Sequence, residues 1–220
     1  MQQALRSLSG YVRGAAGPDL AYTARPVREA IRATALELFA KEGFHAVSVR
    51  KLAACVGMQP GSLYGYFPTK HDVLAELIEE YEDCLTLSIK QALDTSDGQQ
   101  DLQKYVHASL CFRVKNPDGA TLAMHDSRFL TEGLTEGIES ARSTRRRMLA
   151  SILQKSLGSR CEDFTFLAAG IESVILIAGQ NFTAHEQDSF DQLHNRTICL
   201  IQNMSGLSLK RSHVKPQQTL

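Results

Sequence analysis

Gly57, Pro60 and Pro68 crowd the stretch from Ser48 to Lys70. A helix interior tolerates such residues poorly, because proline removes a donor and clashes with the preceding turn, while glycine loses backbone entropy. The stretch therefore has room only for two very short helices and a tight turn. The first runs from Ser48 to Val56, with Ser48 as an N-cap whose hydroxyl accepts from the unpaired first-turn amides. A reciprocal capping box is missing, since the position three along is Lys51 rather than Glu or Gln. Lys51 also needs something negative opposite it, beside the positive end of the helix dipole. The second begins near Gln59, carries Pro60 in its first turn, and runs to about Phe67. Leu52, Val56, Leu63 and Phe67 point inward at helical spacing, Ala53 is small where the helices must approach, and Gly57 can turn with positive φ. Gln59, Gly61, Ser62, Tyr64 and Tyr66 are left facing out. This is the form of a helix-turn-helix.

The flanks are helical too. Val27, Ile31, Ala35 and Leu38 recur every three to four residues, in a helix that stops at Gly43. Thr69 can cap a long helix reaching about Leu93, with Val73, Leu74, Leu77, Ile78, Tyr81, Cys84, Leu85 and Ser88 on one face. Further helices are expected at 101–115, 118–131, 136–157, 163–184 and 187–204, separated by Asn116-Pro117, Gly133, Gly158 and the polar 185–188. No strict alternation suggests a sheet. The fold class is all-α: a flexible tail (1–24), a three-helix helix-turn-helix domain (25–70), a larger helical domain (71–206) and a C-terminal tail (207–220).

Hydrophobic residues at 43% and charged residues at 22% fit a globular chain. Twenty-four basic residues balance twenty-four acidic ones, so no uniformly basic coat exists, but the distribution is uneven. Residues 1–70 carry nine basic against four acidic groups, residues 71–140 five against fourteen, and residues 141–220 ten against six. Only one end is suited to meet a polyanion. Five scattered cysteines without a C-x-x-C pair argue against a disulfide framework or a structural zinc, and suit a reducing cytosol. The longest mostly apolar stretch, 164–179, is interrupted by Glu172 and is shorter than the ~20 residues of a membrane helix. A cytoplasmic protein without membrane contact is expected.

The segment SVRKLAACVGMQPGSLYGYFPTKHDVL resembles the DNA-binding region of the TetR family of bacterial transcriptional regulators. The resemblance rests on Leu63, Tyr64, Tyr66, Phe67 and Lys70, preceded by Ala53 and Gly57, and covers about residues 25–92. It implies that Ser48 and Tyr64 hydrogen-bond phosphates and that Lys70 clamps one. It also implies that Arg50 can reach a base edge, and that Gln59 and Ser62, with Tyr66 at the edge, read the groove. Gly65 stands where a large side chain is common, and Pro60 and Gly61 offer no donors, which shifts weight to phosphates and DNA shape.

One such head reads few base pairs, so a two-fold dimer on a palindromic site is expected. The resemblance places its interface on the last two helices, at Phe164, Leu167, Ile171, Val174, Ile175 and Ala178 and at Phe190, Leu193, Thr197, Leu200, Ile201 and Met204. The same faces can instead close the monomer's own core. The middle helices would then form a sensor for a small-molecule effector of unknown identity, with Tyr105, Phe112, His125, Phe129 and Gln180 as candidate contacts and Arg113 among further polar candidates. The run Arg145-Arg146-Arg147 reads as a solvated helix face. His125 and Asp126, adjacent on one helix, do not make a metal pair, and no cofactor is expected. The function expected is a ligand-responsive repressor of transcription, not an enzyme. A helical enzyme or a protein–protein adaptor with a fortuitous hairpin is the alternative, but no G-x-G-x-x-G, P-loop, H-E-x-x-H or G-x-S-x-G motif supports catalysis.

Overall fold

In the computed structural model, which describes residues 20–94, 98, 100–158, 163–180, 182 and 190–205, every regular element among the described residues is helical. The first helix, α1 (Leu20–Glu42), begins inside the stretch expected to be a loose lead-in and contains Pro26. It ends where expected: Gly43 has φ +85° and donates to the Phe39 carbonyl at 2.9 Å. In α2 (Val49–Val56), the Ser48 Oγ accepts from the Lys51 amide at 3.1 Å, and Gly57 turns the chain at φ +76°. The negative partner that Lys51 needs is Glu42, whose Oε2 lies 2.5 Å from Nζ.

The second short helix is shorter than its sequence suggested, since α3 spans only Pro60–Leu63. The amides of both Tyr66 and Phe67 converge on the Leu63 carbonyl, at 2.9 and 3.0 Å. The i→i−4 ladder stops there, and the coil reaches Phe67 as a turn through Gly65. Then α4 (Lys70–Asp94) opens on a reciprocal cap. Thr69 Oγ1 accepts from the amides of His71 and Asp72, and Asp72 Oδ2 accepts from the Thr69 amide at 2.8 Å.

Beyond it come α5 (Asp101–Lys115) and α6 (Pro117–Thr121). The single helix expected at 118–131 is broken: α6 widens into a π turn (Leu122–Asp126), then a 3₁₀ turn (Ser127–Phe129), and a second 3₁₀ turn covers Glu132–Leu134. The widened turn buries Leu122, Ala123 and Asp126 and delivers Phe129 to the head, where its ring stacks on Phe44 at 5.8 Å and meets His45 edge-on at 4.1 Å. The chain closes with α7 (Glu136–Leu157), α8 (Phe164–Gln180) and α9 (Phe190–Ser205). The expected extensions of the last two, at 181, 183–184 and 187–189, lie outside the described residues, as do most of both tails.

One apolar cluster runs from Ile31 in α1 to Ile201 in α9. The long α4 lies at its centre, packed on α1 at one end and on α5 and α7 along its length. Threaded through the cluster is an ionic network. Arg145, 4% exposed, donates from Nη2 to Glu82 Oε2 at 2.5 Å and from Nη1 to Thr86 Oγ1 at 2.9 Å. Arg142 Nε reaches the other Glu82 oxygen at 2.8 Å. The basic run at 145–147 is therefore a solvated face only in part, with Arg147 exposed. Its first member is core, because helical spacing turns Arg145 inward with Ile138, Ala141, Leu149 and Ile152.

Candidate nucleic-acid interface

Burial of Leu52, Ala53, Leu63 and Phe67, each 0% exposed, pins α2 against α1 and α3 against α2. Fixing that face inward leaves the other face out. Ser48, Arg50, Gln59, Ser62 and Tyr64 are all exposed, Tyr64 at 53%, so five of the seven residues expected to meet nucleic acid lie on the surface of the head. Arg50 makes no ion pair among the described residues, whereas Arg28, Arg32 and Lys51 are neutralised by Glu76, Glu80 and Glu42. Tyr66 is half-buried. Its carbonyl accepts from Arg28 Nη1 at 2.6 Å, and the same guanidinium lies 4.1 Å over the Phe67 ring. Arg28 and Glu76 thus tie the end of the α3 turn to α1 and α4. They lie 48 residues apart in sequence, and no local pattern marks the pair.

Lys70, expected as a phosphate clamp, is half-buried at the start of α4. Its Nζ donates to the carbonyls of Phe44 and Val47, at 2.7 and 2.8 Å, and lies 4.1 Å from the Phe44 ring centroid. Burial lowers its pKa from the ordinary lysine value. The side chain caps the loop that precedes α2 and ties it to the start of α4.

Away from the head, a cleft of about 330 Å³ opens between α5, α6 and α8, lined by Arg113, Val114, Pro117, Ala120, Thr121, His125, Gly179, Gln180 and Phe182. It gathers His125 and Gln180 from the expected effector contacts. The other three belong elsewhere. Tyr105 is buried and donates from its hydroxyl to Glu172 Oε1 at 2.9 Å; Phe112 packs on the Tyr81 ring at 5.3 Å; Phe129 sits at the junction with the head. Each is drawn off by a nearer apolar or polar partner in the core.

The interface expected on the last two helices also needs correction. Ile171, Ile175, Thr197 and Ile201 are at most 1% exposed within the single chain, where they seal α8 and α9 onto α5 and α7. They cannot meet a partner across a surface. Each helix also carries apolar side chains on its outer side: Phe166 is 79% exposed, and Ile177, Leu200 and Met204 are each more than half exposed. Phe166 and Ile177 were missed because an all-round apolar helix gives no periodicity to tell inside from outside.

Residues 31–77, from α1 into α4, match the family model described as bacterial regulatory proteins of the tetR family. The fold is shared with a bacterial regulatory protein in the tetR family from Rhodococcus RHA1, at a TM-score of 0.74 and 23% identity over 83% of this chain and 98% of that one. Residues 31–77 are thus of the TetR type in sequence, and the wider chain shares the fold of that structure. Among solved structures, AibR in complex with isovaleryl coenzyme A and operator DNA superposes at a TM-score of 0.69, with 17% identity over 80% of this chain and 97% of that one. In sequence, the nucleoid occlusion factor SlmA of Vibrio campbellii is 32% identical over 58% of this chain. The match spans 66% of that relative, just under two thirds of its length. Among the described residues no helix is long and apolar enough to cross a membrane, and no three His, Cys, Asp or Glu side chains gather as metal ligands.

Proposed function

We propose that this chain is a cytoplasmic, ligand-responsive transcriptional repressor that grips a palindromic operator as a homodimer. The observation that carries the reading is the split of the head into a sealed inner face and an outer face of hydroxyl, amide and guanidinium groups. Ser48 and Tyr64 are suited to phosphates, while Arg50, Gln59 and Ser62 are suited to base edges in a major groove. Two heads must be held about 34–36 Å apart to read both halves of such a site. The outer faces of α8 and α9, with Phe166, Ile177, Leu200 and Met204, supply apolar surface for a two-fold bundle of four helices.

An effector in the sensor half acts by favouring one placement of α6 and α4, and so one spacing of the heads. It can shift that balance only by its differential affinity for the two placements. Selection of bound fragments from genomic DNA by the full-length chain tests the reading: an inverted repeat near promoters supports it, and unselective recovery counts against it. The SlmA relative's name favours a second reading, a DNA-bound factor acting in nucleoid occlusion; sites dispersed along the chromosome, away from promoters, would select that one.

A further inference from the structure

Arg113 is 9% exposed and stands in the wall of the cleft between α5, α6 and α8. A guanidinium stays charged in any protein, and a buried charge without a partner is costly. Yet Arg113 makes no ion pair among the described residues. Among the described residues its one side-chain hydrogen bond runs from Nη1 to the Tyr81 hydroxyl, at 3.4 Å, and its Nε has no acceptor. Arg32 and Arg146 also bury an unbonded Nε, but each has a carboxylate within 4 Å, Glu76 for the first and Glu172 for the second. Glu172 is already held by Tyr105, Arg145 and Arg146. Arg113 alone of the three has no carboxylate within 4 Å among the described residues, and Glu172 acts on it only from farther off.

We infer that the cleft binds a small organic carboxylate, with Arg113 as the group that takes its charge. The volume, about 330 Å³, is at the small end for ligand sites. One cation matches one negative charge, and a planar fork matches a carboxylate. Val114, Pro117, Ala120 and Phe182 offer apolar contact to the remainder of the molecule, and Gln180 offers a polar one. Gly179 makes the arrangement possible, since a Cβ there would lie 3.2 Å from the Arg113 Cβ and 3.3 Å from its Cδ.

The cleft is wired to the head in two ways. Arg113 meets Tyr81 of α4, and His125 in the wall belongs to the π turn that leads to Phe129 and Phe44. The inference deepens the regulator reading by naming its effector class, but the binding itself is measured without DNA, so either can fail alone.

Thermal melts of the full-length chain with sodium hexanoate or benzoate, up to about 10 mM, test it against the matching amides and inorganic phosphate. The carboxylates are expected to raise Tm with concentration and the amides to leave it unchanged. Arg113→Met should weaken the carboxylate response at least about tenfold, while holding or raising the unliganded Tm, because it removes a buried charge that has no carboxylate in contact. Gly179→Ala should weaken the response without removing the cation. A response to phosphate but not to carboxylates would overturn the ligand class. No response in the native chain, an equal response to amides, a response surviving in Arg113→Met, or collapse of that variant's fold would overturn the site.

Discussion

Glu82 of α4 and Arg145 of α7 form an ion pair inside the core, 2.5 Å between Oε2 and Nη2, with both side chains at most 5% exposed. Thr86, Arg142 and the Glu82 carbonyl complete their hydrogen bonds. Breaking such a pair from one side leaves a buried charge alone. Glu82→Gln or Arg145→Met is each expected to cost about 3–5 kcal/mol in denaturant unfolding. The double variant should cost markedly less than the sum, which a double-mutant cycle would reveal as a coupling energy.

The close approach of α6 to α4 depends on Gly119. A Cβ there would lie 2.4 Å from Cδ2 of Tyr81, a ring that is itself buried and cannot swing away. Gly119→Ala is expected to destabilise the fold by about 1–3 kcal/mol through overpacking. Gly137→Ala is the control: its Cβ would meet only the mobile end of Glu79, and unfolding curves should show a smaller loss.

Acid should weaken the fold at the α5–α9 contact. Burial lowers the pKa of His194 below the ordinary 6.5, with the His107 ring nearby adding to the effect against the Gln103 carbonyl. The folded chain then holds fewer protons at this site than the unfolded one, so its stabilising contribution is complete above pH 6.5 and is lost as pH falls from there through the folded value. Melts between about pH 7 and pH 5 should fall less steeply for His194→Gln than for the native chain.

Lys70 divides positioning from contact. With Nζ on the Phe44 and Val47 carbonyls, Lys70→Ala is expected to lower the melting temperature and weaken DNA binding while leaving its salt slope unchanged. A direct phosphate contact would reduce that slope by roughly one. Tyr64→Phe should weaken all duplexes alike, whereas Arg50→Ala should relax preference at one base pair by about 1–3 kcal/mol.

The head was legible in the sequence because its signals are local: the Ser48 cap, Gly57, Pro60 and the inward spacing of Leu52, Leu63 and Phe67 are all decided within a few residues. The broken segment at 118–131 was not legible. Its widened turn is set by where Phe129 must pack, and Phe44 lies far off in sequence. The same holds for Arg145, whose charge argued for solvent until Glu82, one helix system away, was placed beside it. The faces of α8 were ambiguous for a different reason: its sequence is apolar on both sides, and only tertiary packing separates Ile171 from Phe166. His125 and Gln180 were brought into one cleft, but Tyr105, Phe112 and Phe129 went to the core, because aromatic character alone does not distinguish a lining from a filling.

The central claim is that Arg50, Gln59, Ser62 and Tyr64 face a DNA groove as one half of a two-fold pair. Titrating the full-length chain into a labelled duplex recovered by genomic selection, with fluorescence anisotropy at several salt concentrations, tests it most directly. The account predicts saturation at an even number of chains per inverted repeat, affinity that falls steeply with salt, and far weaker binding to a duplex with one half-site scrambled. Saturation by a single chain, or equal affinity for the intact and scrambled duplexes, would contradict it.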